Sequence, residues 1–118
     1  MVKAAIVILA DTETHEGLAR AVNALEAAKE FKQAGDEVKV LFDGAGTRWV
    51  GQLARPEHHA HRSFEAVRDR IAGVCAHCAR AFGVEAEVRS SQIPLLSEFE
   101  GHPSLRTLVA DGYAVITF

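Results

Sequence analysis

The chain has 118 residues, which suits a single folded domain. Hydrophobic residues make up 48% and charged residues 25%, a globular balance that excludes a largely disordered chain. The formal net charge of -3 provides no electrostatic attraction to nucleic acid or to an anionic membrane. We therefore predict one domain over residues 1–118 that binds neither nucleic acid nor membranes.

The first third of the chain predicts a strand–helix–strand unit. Residues 2–10 are almost continuously apolar, as in a strand that is covered on both faces. Apolar side chains then recur every three or four residues from Glu16 to Ala34, which predicts an amphipathic helix that ends at Gly35. Val38 to Phe42 form the next apolar run and the second predicted strand. Such a unit implies parallel pairing with a right-handed crossover.

The middle of the chain predicts short helices and a short strand. One helix is expected from Thr47 to Ala54, and Pro56 suits the first turn of another, whose helical spacing continues to Ile71. Residues 71–74 are a short apolar run that ends at Cys75, and we interpret them as a third strand. Helical sequence follows from Ala76 to Phe82.

The last part of the chain is less regular. Residues 84–103 are compatible with a strand or loop through Val88 and with a helical turn from Leu95 to Phe99. Ser104 is placed to cap a helix through Ala110, and Ala114 to Phe118 predict a final strand. This alternation predicts a three-layer αβα domain with a mainly parallel sheet of about five strands.

The apolar run near the start of the chain bears on localisation. Ala4 to Ala10 is too short to span a bilayer. It leads directly into Asp11-Thr12-Glu13 rather than into a small-residue cleavage site, which argues against a signal peptide. We therefore expect the protein in the cytoplasm.

The two cysteines, Cys75 and Cys78, form a single Cys-x-x-Cys motif. This count excludes a disulfide-rich scaffold and a four-cysteine zinc site. At a strand-to-helix junction Cys75 would face unpaired helix N–H groups, which predicts a lowered thiol pKa and a reactive nucleophile. Cys78 lies one helical turn further on and could resolve a disulfide or persulfide, with His77 adding positive charge. A mixed Cys/His metal site and simple core packing remain as alternatives.

Ligands of parallel sheets bind beyond the carboxyl ends of the strands, where three segments of this chain are expected to meet. These segments are residues 11–13, 43–47 and 75–78. The candidate ligand-binding residues at this edge are Asp11, Thr12, Gly44, Gly46 and His77. Paired glycines let a backbone approach a small anion, although a simple turn explains them as well. Helix capping is likewise an alternative role for the acidic residues near the first helix.

Three further histidines, His58, His59 and His61, lie close together in the sequence. His58 and His61 can share a helix face and could bind zinc together with Cys75 or Cys78. A histidine-rich, solvated helix start explains the same residues without a ligand. We therefore assign no metal ligand and predict no cofactor.

The Cys-Ala-His-Cys tetrapeptide resembles the motif of thioredoxin-type disulfide oxidoreductases. That fold carries its motif after an early strand and places a distant cis-proline opposite it. Here the motif begins only at Cys75, behind two predicted crossovers, and Pro94 follows it closely. The sequence order therefore disfavours a thioredoxin fold.

The whole chain resembles the DsrE/DsrF-like (YchN-like) family of small α/β proteins. The matching features lie along its full length: Ala4 to Ala10, Ala27-Ala28, Gly35 to Val38, Leu41 to Gly44, Val74-Cys75, Ala79, Gly83-Val84 and Leu108 to Phe118. Members with known roles are sulfur-relay proteins that carry a persulfide on a cysteine directly after the short strand, with Gly-Val eight residues later. Cys75 and Gly83-Val84 match that spacing.

The resemblance implies that Cys75 accepts sulfane sulfur and exchanges it with a donor or acceptor protein. It also implies a homo-oligomer, since family members usually form trimers or hexamers. Cys78 stands where sulfur-relay members usually have a small residue, so either sulfur relay or a Cys75/Cys78 dithiol cycle fits. A non-catalytic, oligomeric module that binds zinc or a small ligand is the alternative, and whether the protein is an enzyme stays open.

Overall fold

The computed structural model describes residues 1–118 and contains one sheet of five parallel strands. The strands are β1 (Lys3–Ile8), β2 (Glu37–Phe42), β3 (Ile71–Cys75), β4 (Leu95–Leu96) and β5 (Ala114–Thr117). They lie in the order β4-β3-β2-β1-β5, and every pair in the sheet is parallel. The predicted parallel sheet is therefore confirmed, with five strands.

Six α-helices and two short 3-10 helices connect the strands. The α-helices are α1 (His15–Gln33), α2 (Trp49–Leu53), α3 (His61–Ala66), α4 (Ala76–Ala81), α5 (Glu85–Ser90) and α6 (Leu105–Ala110). The 3-10 helices are Gly44–Arg48 and Arg68–Arg70. No helix of the structure combines the length and the apolar character that crossing a membrane requires.

The strand order places the helices in two unequal layers. From β1 to β4 the chain moves across the sheet in one direction, so right-handed crossovers put α1 to α5 on the same face. The step from β4 to β5 returns to the opposite edge, which puts α6 on the other face. The result is the three-layer αβα arrangement predicted from the sequence, with α6 alone in one layer.

The two faces of the sheet differ in how much apolar surface they bury. The face under α1 to α5 holds a cluster of 20 buried residues, including the aromatic side chains of Phe42, Trp49 and Phe64. The face under α6 holds a buried cluster of four, Ala5, Val7, Leu41 and Leu108. Stability of the single chain therefore comes mainly from the five-helix face, since apolar burial is the dominant favourable contribution to folding.

The first helix agrees closely with its prediction. The Thr14 side chain accepts a hydrogen bond from Gly17 N at 3.0 Å and so caps the start of α1. Gly35 follows the helix with φ of 81°, a left-handed conformation that suits glycine. Amphipathic spacing and both end signals were sufficient to locate this element.

Several predicted boundaries in the middle of the chain are wrong. The helix expected from Thr47 begins instead as the 3-10 helix Gly44–Arg48, because the Asp43 side chain caps Gly44 N. The helix expected to start at Pro56 starts at His61, whereas the third strand expected at residues 71–74 is confirmed as β3. Apolar spacing located this strand but not the start of the helix before it.

Residues 84–103 also differ from both expectations. Val88 lies on helix α5 rather than on a strand or loop, and its side chain is buried. Leu95 and Leu96 form the short strand β4 instead of a helical turn. Two residues are too few to show the alternation of apolar and polar side chains that predicts a strand. This strand is recognised only by its pairing with β3.

The ends of β3 and β4 form the point at which the chain changes sides. The segment after β3 enters α4 on the five-helix face, whereas the segment after β4 leads to α6 on the other face. Connections that diverge in this way leave a crevice at the carboxyl ends of the two strands, the usual ligand position in open parallel sheets. Cys75 is the last residue of β3 and lies at this point.

Candidate functional site

Cys75 occupies the junction between β3 and α4. It is the residue that precedes α4, and its Sγ accepts a hydrogen bond from Cys78 N at 3.4 Å. The side chain is fully buried, with 0% of its surface exposed. The first turn of α4 therefore directs a backbone N–H at this sulfur, as the sequence predicted for a cysteine at a strand-to-helix junction.

His102 reaches the same sulfur from the segment between β4 and α6. Its Nδ1 lies 3.3 Å from Cys75 Sγ, and Gly101 O lies 3.9 Å from that sulfur. Gly101 O also accepts a hydrogen bond from His77 N at 2.9 Å, and His102 exchanges two backbone hydrogen bonds of 2.8 Å with Phe99. The segment is thus fastened over Cys75, and Gly101 with φ of 87° provides the turn.

Asp43 contributes a carboxylate from the end of β2. Its Oδ1 accepts a hydrogen bond from Gly44 N at 2.8 Å and lies 3.5 Å from Cys78 Sγ, which can donate to it. One ligand atom from each of Asp43, Cys75, Cys78 and His102 falls within 4.8 Å of the other three. We refer to these four residues as the cysteine cluster.

The protonation state of Cys75 differs from the sequence prediction. Burial raises the pKa of this thiol to about 12, and the Cys78 N–H opposes that rise only in part. The Cys78 thiol and the negative charge of Asp43 raise it further. The expected lowering of the Cys75 pKa is therefore wrong, and the buried thiol is neutral at pH 7.

The comparisons to known proteins agree with the fold. The family model described as the DsrE/DsrF-like family matches residues 3–118. The chain belongs to the DsrE/DsrF-like family. This finding confirms the resemblance drawn from the sequence.

This DsrE/DsrF-like chain is similar to one further sequence and, in fold, to one solved structure. The uncharacterized protein MJ0733 of Methanocaldococcus jannaschii is 35% identical over 89 residues, which cover 75% of this chain and 72% of the relative. A solved structure, that of the conserved protein of unknown function BT1422 from Bacteroides thetaiotaomicron, has a TM-score of 0.64 and 16% sequence identity. That match covers 97% of this chain and 94% of the other, and it supports the fold alone.

The other predicted ligand-binding residues of the DsrE/DsrF-like chain make no hydrogen bond to the two thiols. Asp11 Oδ1 accepts hydrogen bonds from Thr12 N at 2.6 Å and from Arg48 Nη1 at 3.0 Å. Arg48 also bonds Glu13 Oε1 at 2.7 Å. The segment after β1 is therefore tied to the 3-10 helix that follows Asp43, which joins two of the three segments expected at this edge.

The two glycines after Asp43 have a clear packing role. A Cβ on Gly46 would lie 1.9 Å from Ile8 O, so only glycine fits against the end of β1. Gly44 has φ of 55°, where side chains are strained, and its Cβ would meet Leu9 at 3.4 Å. These glycines let the turn that carries Asp43 lie close to β1.

His77 stands at the rim of the cluster. Its side chain is exposed, and its ring centroid lies 4.6 Å from that of His102. The sequence therefore placed a histidine near Cys75 correctly, but the imidazole that contacts the sulfur is that of His102.

The structure does not bring His58 and His61 to the cysteines. The His58 ring packs edge-on against Trp49 and stacks on His59, with centroid distances of 6.3 Å and 4.9 Å. His61 Nδ1 lies 2.8 Å from Leu53 O. A zinc site that combines these histidines with Cys75 or Cys78 is therefore wrong, because their ring nitrogens serve local backbone contacts.

Sequence reasoning missed His102 and did not single out Asp43 as a site residue. His102 follows a two-residue strand in the part of the chain with no readable pattern. One signal was present: Asp43 directly follows β2, so the rule that ligand-binding groups follow parallel strands applied to it. The same rule applies to the segment after β4, but only once that strand is recognised.

Proposed function

We propose that this protein accepts sulfane sulfur as a persulfide on Cys75 and passes it to a partner. Membership of the DsrE/DsrF-like family supports this role. The observation that carries the proposal is the environment of Cys75 Sγ, which has an imidazole nitrogen at 3.3 Å and a second thiol within 4.8 Å. A thiol and a base are the groups that persulfide formation requires, and a second thiol can resolve the persulfide.

Loading begins with removal of the Cys75 proton. The raised pKa makes the buried thiol a poor nucleophile by itself, so His102 Nδ1 acts as the general base, in the tautomer that leaves this nitrogen free. The Cys75 thiolate then attacks the outer sulfur of a donor persulfide, whose S–S bond breaks as the new one forms. The donor leaves as a thiol after taking the proton from His102, and Cys75 bears the sulfane sulfur.

The first turn of α4 assists this step. Cys78 N is already directed at Cys75 Sγ, so it stabilises negative charge on that sulfur without reorganisation. Access to Cys75 requires the Gly101–His102 segment to move outward, since this segment covers the thiol. His77, exposed and next to His102, is placed to contact the donor.

Discharge follows one of two balanced routes. In relay, an acceptor thiolate attacks the outer sulfur and leaves Cys75 as a thiolate. In a dithiol cycle, Cys78 attacks Cys75 Sγ, sulfide departs, and the two cysteines become a disulfide as the sulfane sulfur is reduced. An external dithiol must then reduce the pair. Both routes need thiols that stay reduced, so we propose that the protein acts in a reducing compartment such as the cytoplasm.

Intact mass spectrometry tests this function. The reduced full-length chain is incubated with inorganic polysulfide, desalted and weighed before and after treatment with dithiothreitol. We expect Cys78→Ser to gain the mass of one sulfur atom, which dithiothreitol removes. Wild type should gain the same mass in relay, or lose the mass of two hydrogens as a disulfide in the dithiol cycle. Cys75→Ser is the matched variant that retains one thiol, and it should gain none. Equal loading of Cys75→Ser and Cys78→Ser would contradict the proposal.

We also propose that the protein acts as a homo-oligomer, as members of this family usually do. Exposed apolar side chains support this, because Val109 on α6 is 62% exposed and Ile116 on the edge strand β5 is 37% exposed. Light scattering coupled to size exclusion should give a mass several times that of one chain. Val109→Glu should lower that mass, and a wild-type protein of single-chain mass would contradict the proposal.

A further inference from the structure

The cysteine cluster combines four groups that bind metals, and they come from three separate parts of the chain. Asp43 follows β2, Cys75 and Cys78 flank the first turn of α4, and His102 follows β4. From this arrangement we infer that Asp43, Cys75, Cys78 and His102 form a four-coordinate zinc site. From the sequence, only His58 and His61 were candidate zinc ligands alongside the cysteines.

The distances in the cluster suit a tetrahedral ion. Zinc bonds of about 2.3 Å to sulfur and about 2.0–2.1 Å to nitrogen or oxygen separate neighbouring ligand atoms by roughly 3.3–3.8 Å. Cys75 Sγ lies 3.3 Å from His102 Nδ1, and Cys78 Sγ lies 3.5 Å from Asp43 Oδ1. No two of the four ligand atoms are more than 4.8 Å apart, so small side-chain rotations complete the tetrahedron.

The ligand chemistry favours zinc among the divalent ions. Two thiolates and an imidazole are softer ligands than the oxygens that magnesium and calcium select. Thiolate and imidazole with a single carboxylate match the sulfur, nitrogen and oxygen ligands that zinc accepts. Binding exchanges two thiol protons for one divalent cation, so the net charge of the site is unchanged.

The surroundings hold the ligands in place. Gly44 N donates to the same Asp43 oxygen that faces Cys78, which fixes the carboxylate. The two backbone hydrogen bonds between Phe99 and His102 fix the segment that carries the imidazole. Ligands held in this way lose less freedom on metal binding than side chains on a mobile loop.

Zinc would also affect sulfur transfer, a consequence that rests on the proposed function. The metal and the sulfane sulfur need the same atom, Cys75 Sγ, so one chain can hold only one of them. The metal-bound form is therefore the inactive form in sulfur transfer. Chelation should restore loading of a zinc-treated sample.

Cobalt titration tests the site without a sulfur donor. The reduced full-length chain is titrated anaerobically with Co²⁺, which shows intense visible bands in a tetrahedral site and a near-ultraviolet band when thiolate is bound. We expect both signals to saturate at one Co²⁺ per chain and to disappear when Zn²⁺ is added. Absence of tetrahedral bands at that ratio would overturn the inference.

Variants assign the ligands. His102→Ala and Asp43→Asn should each weaken Co²⁺ binding by roughly tenfold or more, and Cys78→Ser should reduce the thiolate band. His61→Ala is the matched control, because it removes an imidazole outside the cluster, and it should bind as wild type does. Unchanged binding in both His102→Ala and Asp43→Asn, with circular dichroism showing native folding, would overturn the inference. Persulfide loading is measured on chelator-treated protein, so failure of either proposal is recognised separately.

Discussion

Two regions of this molecule are rich in groups that bind metals or move protons, and they are built differently. His58, His59 and His61 are neighbours in the sequence, and their rings contact one another or nearby residues of the same segment. The cysteine cluster instead joins residues from the ends of three strands and places Cys75 under His102. The difference shows that in a parallel sheet the strand ends, rather than closeness in sequence, assemble a site.

The largest expected effect concerns the reactivity of Cys75. Its pKa, raised by burial from 9.0 to about 12, implies roughly a thousandfold less thiolate at neutral pH than an ordinary cysteine. In Cys78→Ser, which leaves Cys75 as the single thiol, iodoacetamide should react slowly at pH 7 and increasingly fast toward pH 12. The rate is measured by intact mass against time.

The control is the same variant unfolded in urea, where Cys75 should react as a free thiol. In Cys75→Ser the remaining thiol is that of the half-buried Cys78. It should react faster than the Cys75 thiol of Cys78→Ser. Alkylation of folded Cys75 at the rate of a free thiol would show that the cluster is open rather than covered.

The next effect tests the backbone packing beneath the cluster. Gly46→Ala places a methyl group against Ile8 O, so it should lower the free energy of unfolding by about 3 kcal/mol or more. Gly35→Ala, which has open space but a positive φ, should cost about 1 kcal/mol. Urea unfolding followed by circular dichroism measures both. Equal losses in the two variants would argue against close packing at Gly46.

A third prediction separates the two histidine regions by their chemistry. Loss of a general base usually slows a reaction by about a hundredfold or more, so His102→Ala should slow persulfide loading of Cys75 by that factor. His61→Ala, which removes an imidazole bound to Leu53 O, should leave the rate unchanged. The rates are measured by quenching the reaction at a series of times and determining the intact mass of each sample. Equal slowing in both variants would remove the distinction between the regions.

The smallest expected effect concerns the histidine segment itself. Burial lowers the pKa of His58 below 6.5, with smaller contributions from the charges of His59, Arg55 and His61. Its neutral Nδ1 accepts a hydrogen bond from Ala60 N at 3.1 Å. The folded state thus disfavours the protonated ring, so the stabilisation is present above pH 6.5 and is lost as pH falls through the lowered pKa.

His58→Asn tests this pH dependence, because asparagine keeps an acceptor near the position of Nδ1 but does not titrate. Wild type should lose up to about 1 kcal/mol more stability than this variant between pH 7 and pH 5, the usual net value of a hydrogen bond. His59→Asn should retain most of the wild-type pH dependence, because burial lowers the pKa of His58 more than the charge of His59 does. Parallel pH profiles for wild type and His58→Asn would contradict the account.

Much of the fold could be predicted because the sequence carries local signals. Helix α1 has regular apolar spacing and clear ends, and the apolar runs of β1, β2 and β5 identify three parallel strands. The junction at Cys75 was predictable for the same reason, since an apolar run leads directly into helical sequence. These features are encoded by residues that are close together in the chain.

The rest of the site depends on contacts between distant residues. Strand β4 has two residues and is defined by pairing with β3, so the position of His102 has no local signature. The direction of the Cys75 pKa shift was also missed, because helix N–H groups are local whereas burial also depends on distant residues, such as Gly101 and His102, which contact the sulfur. Features formed by residues close together in the sequence could therefore be predicted, and features formed by residues far apart in the sequence could not.

The location of the added sulfur is the most direct test of the account. Trypsin releases residues 71–80 as one peptide, since cleavage follows Arg70 and Arg80, and this peptide carries both cysteines. After polysulfide treatment and thiol capping, fragmentation of the peptide between Cys75 and Cys78 assigns the extra sulfur. We predict that it is found on Cys75 in the wild-type protein and is absent from His102→Ala at early times. Sulfur found on Cys78 alone would contradict the central role of Cys75.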